Sequence, residues 1–402
     1  MEEIAFSENL EKIKFDQFVI TARRIDFHYK DNEKEGDLFF EFNQINILSE
    51  GPLLIAISLL CGIKYDHIEV DLKVPQNILD SVSTFCKAEI KVKETSPIEY
   101  ISIGKKDRVS INFSGGVDSL AASLLFPKDK IDLFSLDFGK GYTREREFFK
   151  DFNTNIVRTN FRDTEHNFNR NTHMYMAIGT VLYSEKYCNK YMSYGTIMEA
   201  GAGYMYHEHL NINRVQEFYH PLSSLNITEL RLINALTEVG TLLAVVKLKT
   251  NDVYKSVTSC GGITSEKLAR KKLLFNILNE EYNCNLKEME VHFPNDHDMK
   301  KFGSHRGRAF LAFYMMKYYS KEEMVKFNGE IPQKYYDTIE GMSLKFYEEF
   351  NPNFLHKLPE VFRSDIMKNL IQANILPYDE IDWKEFLKIR DILEEMFPIS
   401  GN

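Results

Sequence analysis

The stretch Val109-Ser110-Ile111-Asn112-Phe113-Ser114-Gly115-Gly116-Val117-Asp118-Ser119 constrains the fold more than any other part of the chain. Five residues of strand character run into two glycines, after which Val117, Leu120, Leu124 and Leu125 recur at helical spacing. A strand, a tight glycine turn and a helix start make an anion site, because backbone N–H groups point outward and the helix dipole favours negative charge. Ser114 and Ser119 add hydroxyl donors. Asp118 is the odd member, since a carboxylate repels a bare phosphate. It makes sense beside phosphates if a Mg2+ ion lies between them, so Asp118 is the expected metal-facing group and a nucleoside triphosphate the expected ligand. Capping would explain one Ser or Asp here, but not two glycines bracketed by Ser and Asp-Ser. No lysine follows the glycines, which separates the loop from G-x-x-x-x-G-K-[ST].

The stretch resembles the SGGxDS signature of the PP-loop ATP pyrophosphatase superfamily, matching it at Ser114, Gly115, Gly116, Asp118 and Ser119. The resemblance implies cleavage of ATP between its α- and β-phosphates. A substrate carboxylate, amide or oxo group is adenylated, and ammonia or an amine then displaces AMP. It also implies that Ser114, Gly115, Gly116, Val117, Asp118 and Ser119 bind ATP, with Asp118 and Ser119 as the catalytic pair.

From Lys105 onward strands alternate with helices, the mark of a parallel sheet. Strands are expected at Ile131–Phe138, Asn155–Asn160 and Tyr191–Gly195, with helices at Arg144–Phe152 and Thr172–Tyr187 between them. In open α/β sheets ligands lie beyond the carboxyl ends of the strands. That rule gathers Ser114–Ser119, Asp137–Lys140, Asn160–Arg162 and Gly195–Glu199 around one crevice. Asp137 and Gly195 are expected on the ATP side, and Asn160, Arg162 and Glu199 on the substrate side.

Within the superfamily this block looks most like 7-cyano-7-deazaguanine synthase, over roughly Val109 to Phe275. Leu136-Asp137-Phe138-Gly139 is similar to that family's Asp-Tyr-Gly segment, and Thr172 to Tyr194 to its helix and strand. His220-Pro221-Leu222 with Ile227 to Gly240 resembles its Thr-Pro-Leu and following helix. Thr258-Ser259-Cys260 resembles its Trp-Ser-Cys, and Arg270 falls near its basic position, which implies a substrate-side place for Arg270. The family carries four zinc-binding cysteines hereabouts. This chain has Cys260 with no cysteine nearby, so no zinc is expected. The resemblance implies a relative repurposed for another acceptor, a small molecule or a protein or peptide. Nucleobase chemistry, protein modification and bacterial anti-phage defence are the implied settings, with a homodimer or an operon-encoded partner as the implied assembly.

The flanks carry no comparable motif. Residues 1–104 read as a small α+β domain, 105–290 as the Rossmann-like, HUP-type PP-loop domain, and 291–402 as a helical domain. In the first, Phe18–Tyr29, Asp37–Asn43, His67–Val74 and Glu89–Val92 have strand character. Leu53–Leu60 reads as a buried helix, and another starts at Pro75 and runs through Cys86. In the last, helices are expected at Arg308–Tyr319, Lys321–Phe327, Pro332–Phe350, Leu358–Ala373 and Asp382–Phe397, their aromatic residues serving as core.

Five widely spaced cysteines, a charged N-terminus without an apolar core, and no long apolar run predict a cytoplasmic protein with no membrane role. A net charge of −9 disfavours broad coating of nucleic acid. The basic clusters Lys267, Arg270, Lys271, Lys272 and Ser304–Arg308 read by default as solvated faces. Glu199 is equally an ordinary helix-start acid. His207, His209 and His220 read as a pocket wall rather than a metal site, and Cys260 as a structural thiol. Two other functions fit the same loop: tRNA modification by a PP-loop enzyme, and a non-catalytic nucleotide-binding scaffold.

Overall fold

The computed structural model describes residues 11–32, 34–97, 103–139, 143–164, 168, 174–200, 205, 221–259, 266–292 and 301–398. The protein is α/β, and the chain divides into two compact units that interleave along the sequence. One comprises 1–112, 132–192 and 216–229; the other comprises 113–131, 193–215 and 230–402.

The first unit is built on a ten-stranded sheet. Its strands are β1 (Lys12–Ile20), β2 (Arg24–Asp31), β3 (Glu35–Phe42), β4 (His67–Pro75), β5 (Glu89–Ser96), β6 (Lys106–Asn112), β7 (Ile131–Asp137), β8 (Thr154–Thr159), β9 (Asn189–Ser193) and β10 (Thr228–Glu229). They lie in the order β10-β9-β6-β7-β8-β3-β2-β1-β4-β5. The pairs β9/β10, β7/β8, β1/β4 and β4/β5 are parallel, whereas β8/β3, β3/β2 and β2/β1 are antiparallel. β4 alternates strictly, with Ile68, Val70, Leu72 and Val74 buried, the period of a strand with one covered face. Against it packs α1 (Glu50–Cys61), apolar all round and buried along almost its whole length, beside α2 (Gln76–Cys86). The expected strand Phe18–Tyr29 is instead the end of β1 and most of β2, joined by a turn in which the Thr21 hydroxyl donates to the Arg24 carbonyl at 2.8 Å.

The crossovers in this unit are short. α4 (Thr143–Phe149) links β7 to β8. The expected long helix Thr172–Tyr187 is broken, its described part comprising a 3-10 turn, α5 (Ile178–Leu182) and α6 (Ser184–Tyr187). Tyr183 sits at the break. Its ring is fully buried against Phe42 and Phe134 and its hydroxyl donates to Asn43 at 3.0 Å. Seating that side chain takes precedence over a continuous helix.

The second unit is helical. α3 (Val117–Leu125) packs on α7 (Glu238–Leu248), α8 (Val253–Ser259) and α13 (Glu360–Gln372), and α7 also packs on α9 (Glu266–Glu281). α10 (Arg306–Met315) packs on α14 (Glu380–Met396). α11 (Lys321–Asn328) begins with a complete capping box formed by Ser320 and Glu323. The expected helix Pro332–Phe350 ends early, as α12 (Gln333–Ile339), because Gly341 and then Leu344 take left-handed backbone conformations. The segment Ile227–Gly240 is not one helix either: β10 and a 3-10 turn precede α7, which starts only where Thr237 caps it. Phe310, Phe346, Tyr347, Tyr378 and Phe386 form one buried aromatic cluster, the core role expected of these residues. No helix among the described residues is long and apolar enough to cross a membrane.

Candidate functional site

β6 ends at Asn112 and the chain enters the second unit through the loop Phe113–Gly116. Gly115 has φ of 76°, the left-handed region that glycine enters at no steric cost, and it turns the chain directly into α3. Two serines tie the loop together. The Ser119 hydroxyl donates to the Gly116 carbonyl at 3.0 Å and accepts from the Ser114 amide at 3.2 Å, and the two hydroxyl oxygens lie 3.2 Å apart. Ser259, at the end of α8, donates to the Gly115 carbonyl at 3.3 Å. Ser119 is buried, so its hydroxyl braces the loop from inside. The first amides of any helix lack intrahelical acceptors, and the braced turn sets those of α3 at one end of this unit's core.

Gly195 lies against that helix start. A Cβ added there would fall 2.6 Å from the Ser119 nitrogen and 2.8 Å from the Asp118 carbonyl carbon, so only glycine lets the chain pass this close to the first turn. A glycine-rich turn into a helix N-terminus has the chemistry that suits an anion. Asp118, one position into α3, keeps about a fifth of its side chain exposed.

Behind Asp118 runs a buried chain of ionic groups. Thr241 of α7 donates to Asp118 Oδ1 at 2.9 Å, and the Lys271 ammonium of α9 lies 3.6 Å from Oδ2 and 3.7 Å from Glu238 Oε1. Lys271 is only 1% exposed. Arg270 donates to Glu238 at 3.0 Å and to Glu266 at 2.6 Å, and Arg308 meets the other oxygen of Glu266 at 3.4 Å. The start of α7 is satisfied from two sides: Thr237 accepts from the amides of Val239 and Gly240, and Glu199 accepts from the amide of Glu238 at 2.8 Å.

Two of these carboxyls are driven apart in acidity. Burial, then the nearby charge of Glu238, pushes the Glu199 pKa up to about 8. Burial also raises Glu238, but the charges of Arg270, Lys271 and Lys267 outweigh it and hold Glu238 below the ordinary carboxylate range. At neutral pH Glu199 carries a proton and Glu238 does not. Burial depresses the Arg308 pKa, and the neighbouring Arg270 charge adds to the effect against the pull of Glu266.

Of the expected site residues, Ser114–Ser119, Gly195, Glu199 and Arg270 all fall in the second unit. Glu199 is interior, at 8% exposure, with Oε2 lacking a hydrogen-bond partner. Arg270 is committed to two buried glutamates. The basic cluster of α9 is accordingly not a solvated face, because Arg270 and Lys271 point inward, Lys272 is half-buried and only Lys267 is exposed.

Asp137, Asn160 and Arg162 belong to the first unit. Asp137 accepts two bonds from the Arg146 guanidinium, each 2.8 Å, and one from the Gly139 amide at 3.0 Å. Asn160 bonds the backbone of β3 at Phe39 and Asp37. Arg162 lies over the rings of Phe138 and Tyr175. Lys140, His207, His209, His220 and Cys260 lie outside the described residues.

Thr241, Glu238, Lys271, Glu266 and Arg308 are the members that sequence reasoning missed. One signal for Lys271 was present: it stands in register with Leu268, Phe275 and Leu278 on the buried stripe of α9. A lysine on an apolar stripe implies a buried partner. Among the described residues, no three His, Cys, Asp or Glu side chains are arranged to hold a metal ion. No protein-family model matches the chain, and neither a curated protein nor a solved structure matches it.

Proposed function

We propose that the protein is an ATP-dependent adenylating enzyme with a Rossmann-like PP-loop core of the HUP type. It splits ATP into AMP and pyrophosphate to activate a carboxylate, amide or oxo group for attack by ammonia or an amine. The observation that supports this reading best is the braced glycine turn into the start of α3, with Gly195 packed against the Asp118–Ser119 peptide and Asp118 about a fifth exposed beside it.

The chain's own residues divide the work by position. The Val117 amide and its neighbours at the start of α3 are the proposed donors to phosphate oxygens, fixed by the turn before any ligand arrives, which is where a preorganised site gains over water. Ser114 and Ser119 hold the loop in that shape. Asp118 is the residue suited to hold Mg2+ bound with the phosphates, and the ion when present offsets the negative charge of the pyrophosphate leaving group. Thr241 and Lys271 fix which way the Asp118 carboxylate faces. Little proton transfer is required at phosphorus itself, so positioning and charge carry the step. A small molecule or a peptide serves as acceptor, and the cytoplasm is the proposed setting.

The test is turnover of ATP labelled in the α-phosphate with Mg2+ and candidate acceptors, wild type beside Asp118→Ala. Labelled AMP that disappears in the variant supports an adenylating enzyme. Labelled ADP would overturn α–β cleavage, and bound but unconverted ATP would favour a nucleotide-binding scaffold.

A further inference from the structure

Lys271 is an expensive residue to bury, since an ammonium taken from water loses several kcal/mol of hydration unless it is paired. Its pairing here is unequal in purpose. Glu238 already has Arg270 at 3.0 Å. Asp118 has the Thr241 hydroxyl and the Lys271 charge, both reaching it from behind the loop. The ammonium stands 3.6 Å from one carboxylate and 3.7 Å from the other, the bridging position that a cation between two carboxylates takes. Both distances exceed a hydrogen bond, so what Lys271 supplies to them is charge.

We propose that Lys271 is a built-in counter-ion that occupies the cation position behind Asp118, so that the nucleotide-free site does not take a divalent metal and the metal enters only together with phosphates. The inference rests on the proposed nucleotide site in treating Asp118 as the metal-facing carboxylate. A hard divalent ion binds where anionic oxygens outnumber nearby positive charges. With Lys271 in place, Asp118 and Glu238 face one ammonium and the Arg270 guanidinium, and that condition is not met. A triphosphate adds several anionic oxygens at once on the exposed side of Asp118 and reverses the balance. Lys271 is thus a positioning residue, acting on metal order through Asp118 rather than touching the reacting atoms.

Mn2+ alone, followed by loss of its free-ion paramagnetic resonance signal, reads this out without any turnover. Nucleotide-free wild type should leave the Mn2+ signal as Asp118→Asn leaves it. Lys271→Met should bind Mn2+ at least about tenfold more tightly, a gain of about 1.4 kcal/mol, and lose that gain when Asp118→Asn is added. Lys271→Arg, which keeps the charge, should behave as wild type; a merely structural role would not separate the two. Asp118-dependent Mn2+ binding by nucleotide-free wild type, or a folded Lys271→Met with no gain, overturns the proposal. If Lys271→Met does not fold, the comparison of wild type with Asp118→Asn still decides. Calorimetry with Mg2+ and a non-hydrolysable ATP analogue keeps the two readings apart: no binding sinks the ATP site, while the Mn2+ comparison of Lys271→Met with wild type still tests whether the ammonium keeps a metal from Asp118.

Discussion

The Glu199 carboxyl group accepts the backbone N–H of Glu238 at 2.8 Å, while the Glu238 side chain turns to Arg270 and Lys271. Two acids adjacent in space thus have opposite environments, and the proton rests on Glu199. The pH dependence follows. The folded chain holds the Glu199 proton up to about 8, whereas the unfolded chain releases it near the ordinary glutamate value of 4.5. Between those values the folded state binds more protons, so the contribution of Glu199 to stability is full below the window and declines as pH rises through it. Glu199→Gln, which is neutral throughout, should melt near wild type at pH 5 and increasingly above it toward pH 9. The ceiling of the difference is on the order of 4 kcal/mol. Parallel melting curves at all pH values would contradict the assignment of the proton.

How much of this was legible in sequence depends on the range of the interaction. The turn from β6 into α3 is a local event, written in Ser114, Gly115, Gly116 and Ser119 within six positions, and it folds as read. Gly195 follows from its place just past a strand. The ionic chain behind Asp118 was hidden because Asp118 stands 123 positions before Thr241, the other members come from three further helices, and each member has an ordinary local explanation. Glu238 reads as a first-turn acid, Arg270 and Lys271 as surface charge. The broken helix around Tyr183 was hidden for the same reason: local spacing favours a continuous helix, and only tertiary packing of one ring overrides it.

Gly195→Ala should damage the site more than the fold. The new methyl meets backbone atoms at 2.6 and 2.8 Å, which cannot rotate away, so the start of α3 must shift. Overpacking of this kind costs about 1–3 kcal/mol. ATP binding measured by calorimetry should fall at least tenfold while the protein remains folded by circular dichroism. Unchanged affinity would mean that the first turn of α3 holds no part of the ligand.

Arg270→Met should be chiefly a stability variant. It strips Glu238 and Glu266 of a cation that is itself 11% exposed at the side chain, leaving two interior carboxylates short of charge. Breaking a buried pair costs about 3–5 kcal/mol. Chemical denaturation should show the loss directly. A cost under about 1 kcal/mol would place Arg270 with surface pairs and undo the account of the cluster.

Thr241→Val separates orientation from charge at Asp118. Valine matches threonine in shape and removes only the hydroxyl that donates to Asp118 Oδ1 at 2.9 Å. The lost hydrogen bond to a charged group is worth about 1.5–3 kcal/mol at most, and the Lys271 charge remains. If Asp118 must be aimed as well as ionised, AMP formation at saturating ATP should fall by about tenfold and the Mg2+ concentration for half-maximal rate should rise. The melting temperature should fall by only a few degrees. A variant that turns over like wild type across the Mg2+ titration would show that Lys271 alone orients the carboxylate.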